Sequence, residues 1–266
     1  MKSPKYKNSL LYKISGNGLK KPSYLLGTMH IICAKDFYLH EKALRALDKC
    51  SIYYMEVDLG SAQQLQVMEQ QASGVPDIYE GLSVSQKENL DHILQNQFGL
   101  SLDEAKQLPP VTLINRMAIS AINCDDIRMV EMELLKVAQA KGLQTAGLET
   151  ALRQLSIAQK VFTGKEILWQ LKSANAYKEL FAKMVKAYHS ENLQELAMLV
   201  TDKRFMTKRA YNILVINRNK RWAKAIPSLI ASQSAFIAVG AGHLPGEQGV
   251  LQFLNEQGYI VNPVYR

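Results

Sequence analysis

Residues 234–243 read Ser-Ala-Phe-Ile-Ala-Val-Gly-Ala-Gly-His: an apolar run that stops at a glycine and places a histidine three positions later. A short continuous apolar run bounded by turn residues is the pattern of a strand buried on both faces. Near the other end of the chain, Tyr24-Leu-Leu-Gly-Thr-Met-His30 has the same order of apolar strand, glycine, two residues and histidine. In open α/β sheets ligands bind beyond the carboxyl ends of the strands, which is where both patterns deliver their imidazole. If the two strands share a sheet and run the same way, His30 and His243 converge on one edge.

The flanking sequence supplies the rest of such a sheet. Residues 10–14 form a strand that returns through the turn Ser15-Gly16-Asn17-Gly18 to a second strand closed by Gly27. Residues 51–57 are a short apolar run, 144–148 and 259–261 read as further strands, and 41–47 and 249–256 as short helices. The middle is helical, with helices expected at 84–98, 111–121 and 127–140. Asp125 and Asp126 are placed to cap the third, and Lys141-Gly142 ends it. Residues 166–188 carry apolar side chains at helical spacing, and a second long helix is expected over 202–225, ending at Pro227. The expected fold is α/β: a central mixed β-sheet flanked by helices, with a helical insertion (a long helical hairpin, within residues 83–230) packed over the site. With no repeat and no low-complexity linker, residues 1–266 are expected to form a single domain.

Composition narrows the class. The chain has 266 residues, 47% of them hydrophobic, enough for a large core without covalent staples. Cys33, Cys50 and Cys124 are an odd number with no C-x-x-C pair, so no disulfide is expected and a reducing compartment is the simpler reading. The net charge of +8 comes from dispersed residues, among them Lys2, Lys5, Lys7, Lys13, Lys20, Lys21 and a run over 203–224. Without a recognition motif these read as a solvated basic face, and no specific nucleic acid is expected. No apolar run approaches the ~20 residues of a transmembrane helix. The basic start lacks an apolar leader core, so the sequence as it stands reads as cytoplasmic.

Two histidines in matching positions suit a divalent metal, since neutral imidazole is a common ligand. Oxygen donors are available at other strand ends. Glu56 closes an apolar run, where a buried carboxylate needs a cation, and Asp58 lies two residues on. Glu149 follows the strand at 144–148; it either faces the site or caps the helix starting near Thr150. Arg218 and Arg221 stand one turn apart beside Trp222, either to bind an oxyanion or as a solvated basic face over a packed indole. Cys33 reads as a structural thiol rather than a ligand, and His40, His92 and His189 as surface residues. There is no H-E-x-x-H motif, zinc-finger spacing, phosphate loop or Gly-x-Ser-x-Gly elbow.

These residues resemble the TraB/GumN family. The resemblance is carried by Tyr24-Leu-Leu-Gly-Thr-Met-His30, Met55-Glu-Val-Asp58, Gly147-Leu-Glu-Thr150 with Gln154, Arg218-Asn219 before Arg221-Trp222, and Val239-Gly-Ala-Gly-His-Leu-Pro-Gly-Glu247. It extends over roughly residues 10–264. The family includes Tiki-type metalloproteases and sits in a wider group with erythromycin esterases and certain haem-binding lipoproteins. It implies an α/β fold in which two G-x-x-H histidines, a glutamate and an arginine converge: here His30, His243, Glu56 or Glu149, and Arg218.

The expected activity is a metal-dependent hydrolase of a peptide or small molecule. His30, Glu56 and His243 would hold a divalent ion (Mn, Co, Zn or Fe), Glu149 would act as base and Arg218 as oxyanion partner. Three other readings stay open: a metal-independent esterase with a histidine base, a carrier of haem, metal or another small ligand, and an interaction protein.

Overall fold

In the computed structural model, which describes residues 7–70, 77–122, 124, 126–171 and 174–265, the apolar runs form one mixed sheet flanked by helices. Its strands, with a small separate pair, are β1 (Leu11–Gly16), β2 (Ser23–Thr28), β3 (Ile32–Cys33), β4 (Ile52–Val57), β5 (Ile127–Arg128), β6 (Gln144–Glu149), β7 (Ala235–Gly240) and β8 (Tyr259–Pro263). The main sheet has the order β6-β4-β7-β2-β1-β8, and β3 pairs with β5. Strands β6, β4, β7 and β2 are mutually parallel; β1 is antiparallel to β2 and β8. Every residue of β2, β4 and β7 is buried. That is why their sequences read as continuous apolar runs rather than alternations.

The four parallel strands end side by side. Going across the sheet, their carboxyl ends carry Glu149 (β6), Glu56 (β4), the turn leading to His243 (β7) and the turn leading to His30 (β2). Register brings Thr28 opposite Gly240 and Val57 opposite Glu149.

Gly27 does not close β2, which runs on to Thr28. A side chain at Gly27 would stand 2.8 Å from Leu244 Cδ1 and 3.0 Å from Ala241 Cα. Its glycine is therefore needed for close approach, letting the 241–243 turn lie on the strand, rather than for chain reversal.

The helical segment follows expectation most closely at Val84–Phe98, where Ser83 and Gln86 form a reciprocal capping box. Three boundaries differ. The helix expected from residue 127 starts at Val130 without a side-chain cap, because residues 127–128 pair with β3. Asp126 gives its carbonyl to the Ala34 N–H and its carboxylate to Arg128 instead, while Asp125 lies outside the described residues, as do Lys2 and Lys5. The stretch expected as one helix over 166–188 is described as Gly164–Leu171 and Ala174–His189. The last long helix begins at Lys208, capped by Thr207, passes through a π-helical turn at Asn212–Ile216, and continues past Pro227 to Ile230.

Cysteine usage also departs from expectation. Cys33 and Cys124 form a disulfide with Cα atoms 6.0 Å apart, linking the end of β3 to the segment before β5. Cys50 is free and buried. Among the described residues no helix is long and apolar enough to cross a membrane.

Candidate active site

The site lies on the carboxyl edge of the parallel strands, roofed by the helix Asn217–Ile230. His243 is buried in the 241–243 turn. Its Nδ1 is 2.6 Å from Asn219 Oδ1, and the same amide donates through Nδ2 to the carbonyls of His243 (3.2 Å) and Gln248 (2.8 Å). With its nitrogen committed to two carbonyls, Asn219 presents oxygen to the ring, so Nδ1 of a neutral His243 carries the proton and Nε2 the lone pair. Burial lowers the pKa of His243; Glu56 opposes this, Arg218 and His30 reinforce it, and the result is about 3. Trp222, buried under the arginine, packs its ring 4.5 Å from the imidazole and 4.5 Å from the Arg218 guanidinium.

His30 approaches from β2. Its Nδ1 is 2.7 Å from Glu131 Oε1, which also accepts from Thr28 Oγ1 at 2.5 Å. The imidazole side chain keeps 55% of its surface open. Desolvation pulls its pKa down and Arg218 adds to this, but contact with Glu131 and the nearby charge of Glu56 together outweigh them, and the value rises to about 9. Gly240 makes room for this ring, since a Cβ there would lie 2.9 Å from His30 Nε2.

Both Nε2 atoms face one oxygen of Glu56. His30 Nε2 is 3.8 Å and His243 Nε2 3.7 Å from Glu56 Oε1, which also accepts the Gly240 N–H at 2.9 Å. The other oxygen receives Arg218 Nη2 and, at 3.5 Å, Gln154 Nε2. Burial alone would raise the Glu56 pKa; Arg218, the two histidines and the backbone N–H hold it well below the usual carboxylate range.

Arg218 joins the two carboxylates. It donates from Nε (2.8 Å) and Nη2 (2.5 Å) to Glu149 Oε1, and from Nη1 to the Leu214 carbonyl (3.2 Å) and toward His243 Nε2 (3.3 Å). Glu149 does not cap the following helix; Thr150 does, accepting the Arg153 N–H. Glu149 Oε2 is buried without a hydrogen-bond partner, with Arg221 Nη2 3.6 Å away.

The donor set suits a divalent cation. Each imidazole has an acceptor on Nδ1, the arrangement that leaves Nε2 as ligand, and both Nε2 atoms face the same carboxylate oxygen. Among the described residues, no three such side chains surround one point closely enough to hold an ion as they stand. Arg218 now bridges Glu56 and Glu149, with His30 beside the first and Arg221 beside the second.

A model of the TraB/PrgY/gumN family matches residues 10–263. The chain belongs to this family. It is 23% identical, over 97% of its length and 61% of the relative's, to a protein of Danio rerio named metalloprotease TIKI2. A shorter stretch, 18% of the chain and 10% of the relative, is 42% identical to a metalloprotease TIKI homolog of Amphimedon queenslandica. The chain thus spans about three fifths of the longer match. No solved structure matches it.

Of the residues singled out in the sequence, the structure brings together His30, Glu56, Glu149, Arg218 and His243, with Arg221 beside Glu149. Asp58 is not among them: it lies past the end of β4, where its carboxylate accepts the Gly60 N–H at 3.0 Å in a turn. His40 and His189 are half-buried rather than surface residues, the latter bonded to the Asp36 carbonyl at 2.7 Å. Sequence reasoning missed Glu131. In the first turn of a helix it reads as a charge complementing the dipole, and only the fold reveals that it is buried against His30.

Proposed function

We propose that the chain is a metal-dependent hydrolase acting on peptide bonds, with His30, His243 and Glu56 as the residues that would hold a divalent ion. The observation that carries this reading is the pair of imidazoles, each fixed through Nδ1 and each turning Nε2 toward the same Glu56 oxygen. The kinship with proteins named metalloproteases supports the reaction class. A bound divalent ion would supply Lewis acidity toward a carbonyl oxygen and lower the pKa of water. Asn219 and Glu131 orient the two rings. Glu149 takes a proton through Oε2, the buried oxygen that no hydrogen bond occupies. Arg218 meets the negative charge that develops on the carbonyl oxygen of the substrate, in a position fixed by Trp222 beneath it.

Hydrolysis of an unfolded polypeptide such as casein, with and without a chelator, tests the reading. Activity should disappear on chelation, return with Mn, Co, Zn or Fe, and fall by about 10²–10⁴ in Glu149→Gln, the usual contribution of a general base. Activity that survives exhaustive chelation would instead support a metal-independent hydrolase. One observation favours that second reading: Arg218 already bridges both carboxylates.

A further inference from the structure

Near the candidate site lies an open apolar pocket of about 240 Å³, bordered by the helices Pro110–Ile122, Ala174–His189 and Leu193–Val200 and the segment 205–214. Its wall includes Met117, Leu180, Met184, Leu199, Phe205 and Met206. Among the described residues no charged side chain lines it, and the amide of Gln170 gives its N–H to the Phe205 carbonyl at 3.2 Å. The space exceeds the ~150 Å³ apolar cavity that takes up benzene. Several wall residues are not packed shut: Met184, Leu199, Phe205, Met206 and Leu214 are all half-buried, so apolar surface stays wet unless something fills the space.

Two wall residues also touch the segments that carry His243 and Arg218. Val200 packs on the histidine turn, where a Cβ at Gly242 would stand 3.0 Å from Val200 Cγ1. Leu214, which also lines the pocket, accepts a hydrogen bond from Arg218 Nη1 through its carbonyl. A group seated in the pocket is therefore separated from the turn carrying His243 by Val200, and from Arg218 by Leu214. A pocket in that position selects what can be attached to the reacting bond.

We propose that this pocket is the specificity subsite, taking one large uncharged aliphatic or aromatic side chain (leucine, methionine or phenylalanine in kind) adjacent to the bond presented to the site. The assignment to a side chain beside a cleaved bond rests on the hydrolase reading above; the assignment of the pocket to an apolar group does not. The chemistry of the wall excludes charged side chains, since a charge there would lose its hydration with no partner to replace it. Small side chains would leave the wall wet and gain little.

The test has two arms. In the first, 4-fluorotoluene is titrated into the protein and followed by ¹⁹F NMR. Saturable binding is expected, weakened about tenfold or more by Ala118→Phe, which fills the pocket, and by Met206→Glu, a half-buried wall position where the fold tolerates change. Glu149→Gln, which would slow hydrolysis, should leave the probe's affinity unchanged. In the second arm, the cleavage sites in a mixed peptide pool are read by mass spectrometry. Leucine, methionine or phenylalanine should flank the cut bond, and Ala118→Phe should shift the preference to alanine and glycine. Probe binding that neither Ala118→Phe nor Met206→Glu alters would overturn the proposal, and so would cleavage with no apolar preference. Probe binding lost in both variants, with no peptide cut, would uphold the pocket and sink the hydrolase reading alone.

Discussion

At the residue scale, the site depends on which nitrogen of each imidazole is occupied. Asn219 can hold His243 in one tautomer only because its own N–H groups are spent on two carbonyls. Replacing it with leucine removes that constraint and should weaken divalent-metal binding by about 10–100-fold, as loss of an orienting partner does in other metal sites; isothermal titration reads this directly. The two histidines should also titrate far apart in the metal-free protein: His30 near 9 because Glu131 and Glu56 outweigh desolvation, His243 near 3 because burial and Arg218 dominate. Since the folded value of His30 is raised, its contribution to stability is complete below the unfolded value near 6.5 and is lost as pH rises through about 9. NMR titration of the ring protons checks both values, and Glu131→Gln should bring His30 back toward the ordinary value. His30, Glu56 and His243 could be read from the sequence because each closes an apolar run. Glu131 could not, because its partner lies 101 positions away and its own neighbours look like an ordinary helix start.

At the scale of elements, glycines decide how close the strand ends may come. A methyl group at Gly240 would press on His30 Nε2 at 2.9 Å, and the neighbour there is the movable end of a side chain. Gly240→Ala should therefore fold with little loss of stability but displace the ring, lowering metal affinity and activity together; circular dichroism and metal titration separate these effects. Gly27→Ala is different, because Ala241 Cα lies 3.0 Å from the added atom and backbone must shift. A cost of about 1–3 kcal/mol, the usual range for overpacking, should appear in urea unfolding. The strands were legible because burial on both faces writes an unbroken apolar run. Helix starts were less so: Asp126 looks like a cap, yet pairing between Cys33 and Ile127 and between Ile32 and Arg128 takes that segment into a strand. The π-helical turn at Asn212–Ile216 had no signal at all. It stands one residue before the helix that carries Arg218, and such turns recur at functional sites.

At the scale of the whole molecule, a buried ion pair ties the two ends of the chain to the helical insertion. Lys42 Nζ is 2.5 Å from Glu191 Oε2 and 2.7 Å from the Val264 carbonyl, and the same carboxylate oxygen accepts the Leu10 N–H at 2.8 Å. Glu191 holds a left-handed backbone (φ 51°) that glycine or asparagine usually fills, so its side-chain contacts hold it in a conformation it would otherwise avoid. Lys42→Met would strand that carboxylate and should cost about 3 kcal/mol, near the lower end for a broken buried pair because Glu191 is partly exposed. Burial alone would raise the Glu191 pKa, but Lys42 and the Leu10 N–H lower it. Its contribution is therefore present above the ordinary glutamate value and lost as pH falls through the depressed one. Between pH 6 and 3 the melting temperature of the wild type should fall more steeply than that of Lys42→Met. The general architecture was legible because unbroken apolar runs mark the strands, and the shared sheet that the matching strand–glycine–histidine patterns left as a condition is met by the parallel pairing of β2 and β7. This clasp was not, since no local pattern marks Lys42 or Glu191. The measurement that bears most directly on the site is the metal content of protein purified without added metal, by elemental analysis, for the wild type and the folded His30→Ala and His243→Ala variants. Close to one divalent ion per chain is expected in the wild type, with a marked loss in both variants; equal metal content in all three would rule out His30 and His243 as ligands.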